Sequence, residues 1–409
     1  MKKYRFLYTA CVLFLLSFSL QSCLGLGKGN VTNSADFKST TANGSTIGIN
    51  NTDQAIFKGK IYFTLNHNLY VLDGTRVPRQ LTHNLTVMDP AVSPDGKWIA
   101  FIARFTNYSN LAYISVNGGA IHTVIIGNGE FYTQDGIVNN TYYWFAQPTW
   151  SSDSKHLLFL SDLQKLFYWA NLGAPFNNAD FSDMQVFSLP IGQPTITAKD
   201  ATTTIQAVAY AAFGDGGDRD PSYRPHHDDQ IAFTHYQYDA TGTQQIIQIF
   251  LEDPNAIANN PGVYSPVDDP AVPITPANTN QQSMEPTFSP DGNFIAYIQR
   301  QNTTSMGLYI MPVANNVTQN PNNTAVENAA LQPFKKSVNI LSGQYISQPV
   351  WSLDGKQIAY MAYNNNVFDI WLANVSLSKA GKYTLVGSPV QLTSANGALD
   401  GDSRPFWSA

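Results

Sequence analysis

The chain has 409 residues and a formal net charge of −6, which excludes a surface built to hold nucleic acid through its phosphates. Charged residues are only 13% of it while aromatics reach 12%, and Asn, Thr, Gly and Pro abound. That balance lacks the Glu-, Lys- and Leu-rich faces of helical bundles and suits many short strands joined by turns.

At the N-terminus, Lys2, Lys3 and Arg5 precede an apolar run over 6–20. This is the layout of an export signal, too short for a dependable membrane span. The run ends in "LQSC" at 20–23, which resembles the lipobox of bacterial lipoprotein leaders. The resemblance implies a signal peptide over 1–22, cleavage after Ser22 and acylation of Cys23. In such lipoproteins an Asp after the Cys is the usual inner-membrane retention signal. Leu24 stands there, so the expected home is the outer membrane, facing the periplasm. Cys11 leaves with the leader and Cys23 is taken by lipid, so no thiol remains for a disulfide, a thiolate metal site or a Cys nucleophile. Residues 23–54 are poor in large apolar side chains and rich in Gly, Ser, Thr and Asn, which predicts a flexible tether.

From 55 to 409 one unit recurs. "DPAVSPDGKWIAFIAR" at 89 returns as "QPTWSSDSKHLLFLSD" at 147, "EPTFSPDGNFIAYIQR" at 285 and "QPVWSLDGKQIAYMAY" at 348. A degenerate copy, "PSYRPHHDDQIAF", begins at 221, and half a copy, "SRPFWSA", ends the chain. Each carries a Pro, a bulky residue two places on (Val92, Trp150, Tyr223, Phe288, Trp351, Trp407), a tight turn and an apolar strand. Pro presets one dihedral of such a turn and Gly accepts positive φ, so the unit is a β-hairpin. A third alternating strand follows each hairpin, and a fourth follows most of them, as at "RQLTH" (79) and "VQLTS" (390). Four antiparallel strands repeated radially make an all-β six-bladed propeller. The final half-copy lacks its partner strand, and Ile61-Tyr62-Phe63 near the other end supplies it. The last blade is therefore expected to close with strands from both termini, which removes two free sheet edges.

These repeats resemble those of the TolB-like, WD-type (PD40) propeller family over about 55–409. The family's periplasmic namesake carries a separate α/β domain before its propeller. Here that place holds the tether, so the resemblance implies a lipid-anchored, propeller-only relative. It carries the expectation of a cell-envelope binding or scaffold protein, monomeric and non-catalytic, with a protein or peptide partner. Some relatives with such propellers are metal-dependent polyuronide lyases, and a carbohydrate-active enzyme is the alternative. A small-ligand sensor is a third reading.

The residue before each Pro should ring one mouth of the central channel: Asp89, Gln147, Asp220, Glu285, Gln348 and Arg404. Three acids against one base make a negative rim, suited to a cation or a basic segment of a partner. The plainer alternative is that these side chains satisfy turn N–H groups or bond to neighbouring blades. "GDGGDRDPSYRPHHDDQ" at 214–230 gathers oxygen and imidazole groups, with Asp215, Asp218, His226 and His227 as candidate ligands for a divalent cation. Their spacing fits no specific metal loop, and no cofactor is otherwise expected. Phe167, Tyr168 and Trp169 sit in an insertion and are candidates for an exposed aromatic contact. No G-x-S-x-G nucleophile elbow occurs, and the Asp268-Asp269 pair has no partner fixed by spacing.

Overall fold

Each Pro-containing segment pairs with the apolar segment after it in the computed structural model, which describes residues 37–42, 45–132, 138–163, 183–197, 204–211, 214–259, 269–313 and 324–409. Blade 1 comprises Thr86–Val92, Trp98–Arg104, Ser109–Ser115 and Ile121–Ile125. Blade 2 comprises Phe145–Trp150, His156–Ser161, Gln185–Pro190 and Gln206–Ala209. Blade 3 is Asp218–Arg224, His227–Tyr238, Gln245–Glu252 and Val272–Pro273, and blade 4 is Ser283–Phe288, Phe294–Asn302, Ser305–Pro312 and Val338–Gly343. Blade 5 runs Ile346–Trp351, Gln357–Asn364, Val367–Leu377 and Tyr383–Leu385, with Val390–Gln391 as an extra partner of its long third strand. Blade 6 joins Phe406–Ser408 to Lys60–Leu65, Asn68–Leu72 and Arg79–Gln80. Ile61 lies opposite Trp407 and Lys60 opposite Ser408, so both ends of the repeat region meet in one sheet, as expected.

The hairpin turns explain the recurring Ser-x-Asp-Gly. Ser93 Oγ donates to Asp95 Oδ1 (2.6 Å) and accepts from the Trp98 N–H (3.0 Å), while the Gly96 N–H reaches the Ser93 carbonyl (2.8 Å). Gly96 sits at φ +70°, where a Cβ is costly. The Ser93 hydroxyl also holds the Asp95 carboxyl below its ordinary pKa. The same Ser–Asp pair recurs at 151 and 153, 289 and 291, and 352 and 354. Blade 3 departs from it. There Arg224, fully buried, donates from Nε to the Gly292 carbonyl (2.7 Å) of blade 4 and from Nη1 to Gln230 Oε1 (2.6 Å).

Packing runs between blades. Phe101 and Ile99 of blade 1 meet Tyr62 and Leu69 of blade 6, and Phe159 of blade 2 meets Ala100 and Ile102 of blade 1. Comparable clusters fill the four remaining junctions. Three of the repeat's Trp side chains also peg a blade to the backbone beside it. Trp150 Nε1 donates to the Ala91 carbonyl (2.9 Å), Trp351 Nε1 to that of Thr287 (3.2 Å) and Trp407 Nε1 to that of Lys58 (2.7 Å). A buried indole needs such an acceptor, which is why Trp is tolerated in these apolar seams.

One stretch differs from the tether expected over 23–54. Ser45–Asn50 is a strand that pairs Gly48 with Ser394 and Ile49 with Thr393. Ile47 and Ile49 are fully buried in the junction of blades 5 and 6. Average composition hid two apolar residues at strand spacing, and that alternation is enough to cover an edge. The expected leader, Cys23 and the start of the tether lie outside the described residues.

The seam of blade 3 holds a costly group. Glu252 is 1% exposed, and neither carboxylate oxygen has a hydrogen-bond partner among the described residues. Burial and the nearby Asp269 and Asp218 push its pKa well above the ordinary value. Replacing an unsatisfied buried polar group with an apolar one of similar shape removes a desolvation cost. Glu252→Met is therefore expected to raise the unfolding free energy by about 1–3 kcal/mol in urea titrations. A destabilised variant would show that the carboxyl is needed where it stands.

Candidate functional site

Alternation alone does not place the residue before each Pro. In five blades the pairing register breaks there: between Met88 and Ala91, Ala146 and Thr149, Arg219 and Ser222, Met284 and Thr287, and Ser347 and Val350. The break is a β-bulge, which suits Pro because it asks for no ladder N–H. The residue ahead of Pro takes the left-handed conformation, with φ of +53° at Asp89, +47° at Gln147, +55° at Asp220, +57° at Glu285 and +53° at Gln348. Non-Gly residues seldom sit there, and their side chains must repay the strain.

They do so by lacing the blades together. Asp89 Oδ2 accepts the Gln147 N–H (3.1 Å), and Gln147 Oε1 accepts the Asp220 N–H (2.7 Å) while its Nε2 donates to Asp220 Oδ1 (2.7 Å). Asp220 Oδ2 accepts from Thr234 Oγ1 (3.1 Å), whose oxygen accepts the Glu285 N–H (2.9 Å). Glu285 Oε2 accepts the Gln348 N–H. Each side chain therefore reaches the backbone of the next blade, directly or through Thr234.

The pattern stops at Gln348. Its turn in the sequence of contacts would take the Arg404 N–H, but Asp89 Oδ1 already accepts that proton (3.0 Å), and the Asp89 N–H goes to Ser403 Oγ (2.9 Å). Gln348 Oε1 is left buried without a partner among the described residues. The Arg404 guanidinium makes no hydrogen bond or ion pair among the described residues, although its charge acts on Asp89, Asp220 and Glu285. Both groups line one cavity of about 50 Å³, together with Asp220, Ser222, Glu285, Thr287, Thr149 and Phe406. Such a space holds a few waters or the end of a ligand. Burial and the nearby Asp220 push the Glu285 carboxyl up to about 8, and burial raises Asp89 and Asp220.

The expected rim is thus assembled, but its electrostatics differ from a ring of free acids. Asp89 and Asp220 are buried and spend their oxygens on neighbouring blades, and Glu285 carries its proton at neutral pH. Asp220, Glu285, Gln348 and Arg404 face the cavity; Asp89 and Gln147 belong to the lacing beside it. Three wall residues escaped the sequence reading. Thr149, Ser222 and Thr287 each follow a repeat Pro, and their hydroxyls have no partner among the described residues. Their common place after Pro was the available signal.

The other candidates scatter. Asp218 is fully buried and accepts from His235 Nδ1 (2.8 Å), His226 forms an exposed turn at φ +65°, His227 opens the next strand, and the Asp215 carbonyl accepts from Gln245. Among the described residues no three His, Cys, Asp or Glu side chains are grouped so as to hold a metal ion. Asp269 takes the N–H groups of Tyr210 (2.7 Å) and Ala271 (2.9 Å), a structural use, and Asp268 is outside the described residues. So are Phe167, Tyr168 and Trp169. The turns between second and third strands of the other blades share one face. That face bears exposed aromatics: Tyr345 (51% exposed), Tyr238 (42%) and Phe105 (37%), the last stacked on Tyr108, which in turn stacks with Tyr142.

No family model and no curated protein matches the sequence. Among solved structures, TolB from Acinetobacter baumannii is similar over 85% of this chain and 66% of its own, at 16% identity and a TM-score of 0.50. The chain thus spans just under two-thirds of that protein. A protein assigned as TolB from Agrobacterium tumefaciens matches over 86% of this chain and 99% of its own (12% identity, TM-score 0.46). Oligogalacturonate lyase from Vibrio parahaemolyticus matches over 86% and 84% (13% identity, TM-score 0.43). At such identities the likeness is one of fold: the chain is a TolB-like six-bladed propeller.

Proposed function

We propose that this chain is a non-catalytic binding propeller of the bacterial cell envelope, held to the membrane by lipid on Cys23, which engages a protein partner at the channel mouth. The observation that carries the reading is the one break in the inter-blade lacing. There an unpartnered acceptor on Gln348, an unpaired guanidinium on Arg404 and three hydroxyls share a cavity. Buried polar groups left open in a rigid scaffold are where a ligand repays most. Exposed Tyr345, Tyr238 and Phe105, on the face of the turns between second and third strands, supply anchors of the kind that dominate protein interfaces. No helix among the described residues is long and apolar enough to cross a membrane, so attachment in this reading rests on the lipid.

Photo-crosslinking in intact cells tests the reading. A crosslinking residue at Tyr345 or Phe105 is expected to capture a specific envelope protein, whereas one at Leu353, in a turn on the opposite face, is not. Capture only from Leu353 would move the partner to the other side of the disc. Labelled fatty acid should enter the wild-type chain and not the Cys23→Ser variant.

A further inference from the structure

We infer that the gap between Gln348 and Arg404 is a binding site for a carboxylate that carries a hydrogen-bond donor beside it, as the C-terminal residue of a peptide does. The inference rests on the channel mouth being the binding site and names the chemistry it takes.

Three observations set this chemistry. The first is the break itself. By the repeat's own logic the Gln348 oxygen should accept an N–H from the next blade, and the donor at that place has gone to Asp89. An incoming N–H or O–H fills the vacancy. The second is the departure at position 404. Acids or amides occupy the other five places, and four of them bond to a neighbour, while the fork of donors on Arg404 makes no hydrogen bond among the described residues. A planar guanidinium matches a carboxylate in two parallel hydrogen bonds. The third is the state of the surrounding acids. Asp89 and Asp220 already accept hydrogen bonds at both oxygens, and Glu285 accepts one. Asp89 and Asp220 thus offer no free oxygen to a cationic guest, whereas Arg404, whose charge acts on both, keeps its side-chain donors open among the described residues.

Size agrees with an end group rather than a whole ligand. About 50 Å³ admits a carboxylate and its neighbouring atoms, leaving the remainder of the ligand outside. Thr149, Ser222 and Thr287 also line the cavity.

Calorimetry on the full-length protein in detergent, at constant ionic strength and pH 7, tests the assignment with four small probes. N-Acetylglycine has both groups. Glycolate replaces the N–H donor by O–H. N-Acetylglycine amide lacks the carboxylate, and ethylammonium is the cation. Binding of N-acetylglycine, lost at least tenfold in Arg404→Gln and weakened less in Arg404→Lys, is the expected result. Preference for N-acetylglycine over glycolate points to a peptide terminus; the reverse preference points to a small hydroxy acid, with the carboxylate assignment standing in both cases. Affinity should also fall as pH rises through about 8, when Glu285, flanked by Asp220, Arg404 and Tyr236, loses its proton; Glu285→Gln should abolish that fall. Binding of the amide as tight as that of the acid, binding of ethylammonium instead, or N-acetylglycine affinity unchanged in Arg404→Gln would overturn the inference. The crosslinking result is separate. Capture at Tyr345 that survives alongside a failed N-acetylglycine titration leaves the partner reading intact and removes the carboxylate. N-Acetylglycine binding through Arg404 with no captured partner does the reverse.

Discussion

Trp407→Ala is expected to lower the unfolding free energy by about 3–5 kcal/mol, more than most single changes in the core. The indole is 4% exposed, donates to the Lys58 carbonyl at 2.7 Å and meets Phe57 edge-on at 5.9 Å. It also lies on the three-residue strand Phe406–Ser408, which pairs with Lys60–Leu65 to close blade 6. Its loss therefore removes transfer energy, a buried hydrogen bond and much of the grip that closes blade 6. Urea unfolding followed by tryptophan fluorescence measures the difference. A second signature should accompany it: an open blade exposes the Lys60–Leu65 edge, so the variant should self-associate under conditions where the wild type does not. A stability within 1 kcal/mol of wild type would show that blade 6 holds without its terminal strand.

Stability is expected to fall as pH rises from 5 to 9, the reverse of what salt-bridged carboxylates produce. Burial raises Asp369 to about 6, Asp269 to about 7 and Glu285 to about 8, above the ordinary values of 3.8 for Asp and 4.5 for Glu. In that window the folded chain holds protons that the unfolded chain has released, so raising the pH favours unfolding. His235 acts in the same sense. Burial works to lower its pKa, but the hydrogen bond and charge of Asp218 outweigh that and raise it, so the stabilisation is lost as the ring deprotonates. Each unit of difference is worth about 1.4 kcal/mol, and several groups act together, so a decrease of at least ~2 kcal/mol between pH 5 and 9 is the expected size. Urea titrations at fixed ionic strength check it, and Glu285→Gln should flatten the slope between pH 6 and 9. A curve rising toward pH 9 would mean these carboxyls ionise freely in the folded chain.

Much of the architecture was legible because the turn chemistry is written out. Ser93, Asp95 and Gly96 do the same jobs as their counterparts in other repeats, and the half-copy at 405–409 could be matched to Ile61 by its missing partner. The place of these residues ahead of each repeat Pro was legible too, since Pro marks the strand. What the side chains do there was not. A period-two reading sends Asp89 or Glu285 straight into the channel, but the bulge puts the backbone in a left-handed turn and swings the carboxylate along the ring. Thr234 stands between Asp220 and Glu285 for the same reason, and nothing local marks it out. The break at Arg404 follows from competition between Gln348 and Asp89 for one N–H, which three-dimensional closure alone decides.

The sheet that unites Ile61 with Trp407 joins residues more than three hundred positions apart. During synthesis, five blades can form while the strand at Lys60–Leu65 waits, one side unpaired, for Phe406–Ser408 to emerge. Such a non-local last step is slow, and the interval is when a nascent chain is most open to wrong pairings and to escorting chaperones. The closing strand thus makes the timing of maturation depend on residues made long after their partners.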